Sequence, residues 1–174
     1  MTYSEHDEAL ANTIKALATP ELPRQFSTLV RGMAAFDNLI VIVYHGENRP
    51  AVLYREYTDP VVYLPMDNQY LGGAYLLDPF YHEHLKGSVR GIRRLMDVAP
   101  DHFRRTHYYN NYYKQTTLLD EVAVFATISD GITLTACFGR DRTSGKPFGK
   151  RELQALRRHE MSLSALLEAH WQDY

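Results

Sequence analysis

Asp78 and the tyrosines around it are the residues of this chain whose types could do chemistry together. A carboxylate accepts an N–H or pairs with a cation. Tyrosine offers an apolar ring with a hydroxyl that wants a partner when buried. Tyr70, Tyr75, Asp78 and Phe80 stand close together in "YLGGAYLLDPFYHEH", and Tyr108, Tyr109, Tyr112 and Tyr113 follow in "THYYNNYYK". On a helix with Tyr108 at zero, Tyr112 falls at about 40°, Tyr109 at about 100° and Tyr113 at about 140°. The four rings then share one arc, with the asparagines behind them. The expected ligand pocket is walled by Tyr70, Tyr75, Asp78, Phe80, Tyr109 and Tyr113, and it would read an N–H or a cation, a quaternary ammonium included. Two other readings stand beside this one. The aromatic face can be core packed on a sheet, with Asp78 before Pro79 capping a helix or turn. It can also be a stacking platform for single-stranded nucleic acid, with Arg90, Arg93, Arg94, Arg104, Arg105 and Lys114 nearby.

Other residues with chemical potential are fewer. "HEH" (His82 to His84) beside Asp78 matches no familiar zinc spacing on a helix or a strand, so no metal site is expected. Cys137 lies in an apolar strand and reads as a small buried hydrophobe. There is no nucleophile elbow, P-loop or dinucleotide fingerprint, and Gly72-Gly73 reads as a turn. No catalytic residue and no cofactor is expected. The net charge of −2 gives no global case for nucleic acid. A single cysteine, a polar N-terminus and the lack of a long apolar run together predict a cytoplasmic domain without a membrane segment.

The elements that must hold these residues alternate in type. Two amphipathic helices open the chain, the first capped by Ser4 and the second begun at Thr19-Pro20. "LIVIVYH" and "AVLYREY" read as a hairpin, "VRGIRRLMDV" as a third strand, and "EVAVFATI" and "ITLTACFGR" as a second hairpin around Asp130-Gly131. Residues 60 to 87 read as an irregular connection with short helices. One helix is expected over 103 to 119, and one long helix from Lys150 to Trp171. That last helix carries Leu153, Leu156, Leu163 and Leu167, a stripe for its own sheet or for a dimer seam. The 174 residues are expected to form a single α+β domain, an antiparallel five-stranded sheet with helices packed on its faces on the GAF/PAS-like plan.

"YLLDPFY", the spaced "D-x-x-P-x-x-F" leading to "YYNNYY", the following "DE" and the closing "FGKRELQALRRHEMSLSALLEAHW" resemble the N-terminal sensor domain of bacterial LuxR-type transcriptional regulators. The resemblance spans roughly residues 20 to 171 and implies a small-molecule effector, a homodimer and a DNA-binding helix-turn-helix domain C-terminal to residue 174. It also implies that Asp78-Pro79 matches an element whose aspartate, in related quorum-sensing regulators, accepts a hydrogen bond from the amide of an acyl-homoserine lactone. Those pockets also use tryptophans; the single tryptophan here is Trp171, at the far end. A ligand-free interaction module and an enzyme on a GAF-like fold are the alternatives.

Overall fold

A computed structural model describes all residues from Met1 to Tyr174. Two helices, α1 (Tyr3–Lys15) and α2 (Leu22–Arg31), precede strands β1 (Asn38–His45) and β2 (Ala51–Tyr57). Short turns of helix and α3 (Pro79–Leu85) lead to β3 (Gly91–Arg94), which runs into the single turn α4 (Leu95–Val98). The tyrosine segment contains α5 (His107–Asn111), and β4 (Asp120–Ser129), β5 (Ile132–Arg140), α6 (Lys150–Arg158) and α7 (Glu160–His170) close the chain. All strand pairs are antiparallel, in the order β2-β1-β5-β4-β3. The α+β fold with a five-stranded sheet expected above is the fold observed.

The sheet is covered on both sides, which is why its central strands read as unbroken apolar runs. Successive side chains of a strand point to opposite faces. Leu39 and Val41 of β1, Val122 and Val124 of β4, and Ala136 and Phe138 of β5 join a hydrocarbon core with α2, α6 and α7. Ile40, Ile42 and Tyr44, Ala123 and Phe125, and Cys137 face the other way. The two cores differ in kind. The α7 side buries no tyrosine, whereas the opposite side buries Tyr44, Tyr63, Tyr70, Tyr75, Tyr81, Tyr108, Tyr112 and Tyr113. The tyrosine bias of the sequence therefore belongs to one face of one sheet.

The C-terminal leucine stripe serves the first core. Leu156, Leu163 and Leu167 are at most 1% exposed, and Leu153 packs partly buried against them. Leu156, Leu163 and Leu167 are internal packing, because the domain's own sheet takes up their surface. The expected single helix is two, broken at His159. The break aligns Glu160 and Ser164 with the backbone at the start of β3, an outer strand of the sheet. Ile92 donates its N–H to Glu160 Oε2 at 2.9 Å, and Gly91 donates to Ser164 Oγ at 2.9 Å. Ser164 in turn donates to the Phe125 carbonyl at 2.7 Å. An exposed sheet edge invites pairing with another chain, and these two side chains consume its donors. Helix starts differ from expectation too. Thr2, not Ser4, caps α1 in a capping box with Glu5, and Pro23, not Pro20, stands in the first turn of α2.

Replacing Ser164 by Ala leaves the Gly91 N–H and the Phe125 carbonyl short of a partner, a loss of about 1–3 kcal/mol. Urea denaturation is expected to show it, with faster amide exchange at Gly91 than in the parent chain.

Candidate functional site

The tyrosine side of the sheet is assembled from three pieces. The floor comes from β1, β4 and β5, where strand alternation turns Ile40, Ile42, Glu121 and Cys137 the same way. The second piece is residues 60–77, which replace regular helix by tight and wide turns. A 3-10 turn, Pro60–Tyr63, starts on the Asp59 carboxylate, which accepts from the Val61 N–H at 3.0 Å. A π-turn, Met66–Tyr70, follows, with Tyr70 donating to the Pro65 carbonyl at 3.1 Å and Leu71 to Met66 at 3.0 Å. Such π-turns are rare and recur at functional sites. This one directs Met66 and Tyr70 to the floor. Gly72 closes it, because a Cβ there would meet the Asn68 carbonyl oxygen at 2.2 Å.

The third piece departs most from expectation. Residues 103–119 are not one helix. A 3-10 turn (Phe103–Arg105), α5 and a second 3-10 turn (Tyr113–Thr116) follow one another, with non-helical Tyr112 between the last two and a left-handed Thr117 ending the run. Thr106 caps α5 by accepting from the Tyr109 N–H at 3.2 Å. A 3-10 turn advances about 120° per residue, so the single arc drawn for a continuous helix does not hold. Tyr108, Tyr112 and Tyr113 face the floor, while Tyr109 is half-buried outside the cavity and packs edge-on to Phe103 at 5.6 Å. Tyr75 and Phe80 also fall outside. Tyr75 packs against Tyr81 at 5.3 Å, and Phe80 against Phe125 at 5.7 Å. Of the six expected pocket residues, Tyr70, Asp78 and Tyr113 meet at the cavity.

Asp78 both caps and reaches the site. Oδ1 accepts from the Phe80 N–H at 2.8 Å, opening α3, and Oδ2 accepts from the Tyr70 hydroxyl at 2.6 Å. Because Tyr70 donates to Asp78, Tyr44 must be the donor in its 2.5 Å hydroxyl contact with Tyr70. At the other end Tyr63 donates to Asn38 Oδ1 at 3.1 Å, and Asn38 donates to the buried Asp141 at 2.8 Å. Gly139, paired with both Asn38 and Glu121, makes room there: a Cβ would sit 2.2 Å from Asn38 Oδ1.

Between these ends stands Glu121, which sequence reasoning passed over. It is in phase with Ala123 and Phe125 on β4, and that period of two was the available signal. Its carboxyl lies beside the Tyr113 hydroxyl and the Cys137 thiol. Burial, then the charges of Asp78 and Asp120, push its pKa up to about 8. Burial likewise raises Asp78 to about 6, against the lowering effect of its bonds to Tyr70 and Phe80. Burial drives the hydroxyls of Tyr63, Tyr70, Tyr108, Tyr112 and Tyr113 well above their usual value, so they stay protonated. It also raises the Cys137 thiol, which is therefore no nucleophile at neutral pH. No lysine, arginine or histidine lines the cavity. Its free volume is about 20 Å³, space for roughly one water molecule.

The buried tyrosines cannot stack exposed bases, and three of the six neighbouring basic residues are engaged: Arg90 with Glu168, Arg94 with Asp120 and, at 3.6 Å, Arg93 with Glu83. His82 and His84 bond to different backbone carbonyls, those of Leu76 and Gly46. No three His, Cys, Asp or Glu side chains gather closely enough to hold a metal ion. No helix is long and apolar enough to cross a membrane.

No protein-family model matches the chain, and no curated protein matches it. Solved structures do. The VqsR LBD domain from Pseudomonas aeruginosa matches at 24% identity with a TM-score of 0.78, covering 99% of each chain. The N-acylhomoserine lactone dependent LuxR family factor CepR2 from Burkholderia cenocepacia matches at 15% identity and TM-score 0.66, covering 97% of each. The GAF3 domain of Slr1393 from Synechocystis matches at 14% identity and TM-score 0.55, covering 91% of this chain and 93% of that one. The fold is that of GAF-like LuxR-type ligand-binding domains. Within this fold the tyrosine cavity lies between the sheet and the irregular segments.

The raised carboxyl pKa values have a consequence for stability. Below about pH 3 both acids are protonated folded and unfolded alike. As pH rises the unfolded chain ionises first, so the folded state holds the extra protons and loses stability up to about pH 8. Glu121→Gln cannot ionise. Thermal melts at pH 5 and pH 8 are expected to show it more stable than the parent at pH 8, with a smaller drop between the two; an unchanged drop would contradict the assignment.

Proposed function

We propose that this chain is the small-molecule-sensing and dimerisation domain of a LuxR-type transcriptional regulator, non-catalytic, which passes ligand binding through its C-terminal helices to a DNA-binding domain. The observation that carries the reading is the contrast between the two cores. A domain that needed only stability would fill both faces with hydrocarbon, as the α7 side does. The other face instead buries eight tyrosines around two carboxyls with no counter-charge, an arrangement that lowers stability and supplies convergent polar groups. The likeness in fold to regulator domains over the full chain length supports the reading further.

Transmission has a physical route. β3 bonds to α7 through Glu160 and Ser164, and α7 packs on β4, the strand that carries Glu121. A ligand that prefers one placement of β4 would shift the α7 equilibrium by its difference in affinity. Reduced to its minimum, the protein would work as a homodimer in the cytoplasm.

A ligand-free interaction module is the second reading, and the small free volume favours it. NMR with tyrosine-labelled protein separates the two. Titration with octanoyl-rac-glycerol, an acyl-homoserine lactone and simple amines is expected to move Tyr63, Tyr70, Tyr108, Tyr112 or Tyr113 saturably with at least one of them, and to leave the exposed Tyr3 and Tyr174 in place. Shifts confined to exposed tyrosines, or none, would favour the module. Sedimentation equilibrium on the same sample is expected to show a dimer.

A further inference from the structure

We propose that the cavity takes a protonated primary or secondary amine, its ammonium head held between the Glu121 and Asp78 carboxylates and the tyrosine hydroxyls, with Glu121 deciding for cation over neutral ligand. This deepens the sensing reading and rests on it.

Charge is the first ground. Both acids face a cavity whose lining contains no basic side chain. Asp120, next to Glu121, is neutralised outside the cavity by Arg94, which grips it at 2.8 and 3.0 Å. Asp78 accepts from the Tyr70 hydroxyl and the Phe80 N–H, whereas Glu121 has only the neutral Tyr113 hydroxyl and Cys137 thiol beside it. A buried carboxylate without a charged partner is costly, and a cation is the partner that offsets the cost.

Hydrogen bonding is the second ground. The donors of Tyr63 and Tyr70 are spent on Asn38 and Asp78, and the hydroxyls of Tyr108 and Tyr113 are directed at Asp78 and Glu121, which leaves oxygen lone pairs for an incoming group. Acceptors therefore outnumber free donors around the space. An ammonium, with up to three N–H groups, suits such a site; a carboxylate or phosphate does not. Tyrosine faces favour a cation as well.

Size is the third. About 20 Å³ holds a water-sized head and nothing larger. The rest of the molecule has a way out. Tyr108 and Tyr112 line the cavity and also an outer groove of about 350 Å³ beside Leu77 and His107. The two rings, 5.3 Å apart, are a shared wall that a short apolar body would cross.

Binding is expected to depend on pH. The groups facing Glu121 are Asp78 from the start of α3, Tyr108, Tyr112 and Tyr113 from the tyrosine segment, Tyr63 and Tyr70 from residues 60–77, and Cys137 from β5. Of these only Asp78 and Glu121 titrate near neutrality, at about 6 and about 8. Since the amine needs their ionised forms, its affinity should rise from pH 6 to pH 8 with proton release, while the amine itself stays charged to about pH 10.

Isothermal titration with 2-phenylethylamine and its neutral counterpart 2-phenylethanol tests the proposal on the whole chain. The amine is expected to bind at least tenfold more tightly, to lose that advantage in Glu121→Gln, and to bind more tightly at pH 8 than at pH 6. Thermal melts confirm that the variant is folded. If the alcohol binds as well as the amine, or Glu121→Gln binds the amine like the parent, the amine assignment falls and the sensing reading stands. If neither compound binds, the assignment falls too, and the sensing reading depends on the tyrosine NMR titration alone.

Discussion

The structure turns on what a buried hydroxyl requires. Tyrosine rings fill one face of the sheet as well as any apolar residue, but each brings an oxygen that cannot be left without a partner. Asp78 meets that need at the centre. One oxygen fixes the start of α3, and the other anchors a chain of hydroxyls from Tyr70 to Tyr44 on the middle of β1. Helix, π-turn and strand are thereby tied through a single carboxylate. Asn38 does similar work at the opposite end, between Tyr63 and Asp141. Glu121 sits between the two anchors and is itself anchored by neither.

That difference separates architecture from site. Asp78 and Asn38 are satisfied within the protein, and their burial is part of how the fold closes. Glu121 bears the cost of burial with only a thiol and a phenol beside it. Evolution seldom keeps such a group in a core for packing, and perturbed carboxyls in concave places are the usual marks of a functional site. The hydrocarbon core behind the sheet, with Leu156, Leu163 and Leu167 packed to near-zero exposure, supplies the stability that lets the other face be polar.

Much of the fold was legible because the strands announce themselves. Apolar runs bounded by turns marked β1, β2, β4 and β5, and Asp130-Gly131 marked the second hairpin, where Gly131 takes a φ of +74°; the third strand expected over residues 89–98 is strand only at Gly91–Arg94 and turns helical at Leu95–Val98. The misses came where local pattern and tertiary geometry disagree. A helical wheel placed Tyr109 in the pocket, but the chain changes from α to 3-10 turn at Tyr112, and no residue there signals it. The C-terminal leucines kept heptad-like spacing across a helix break because the sheet, not the helix, sets where they must land. Tyr75 and Phe80 lie near Asp78 in sequence yet pack beside it instead of in front of it. Glu121 was readable in principle: a charge in phase with Ala123 and Phe125 on a strand buried on both faces has to be explained.

The claim on which this account rests is that Glu121 is a half-buried acid facing a cavity without a counter-charge. Carbon-detected NMR of the glutamate side-chain carboxyls, followed from pH 4 to pH 10 and assigned with Glu121→Gln, measures it directly. The account predicts one glutamate titrating near pH 8, far from the others, moving to lower pH when an amine is bound. A Glu121 midpoint in the ordinary range of about 4 to 5 would contradict it.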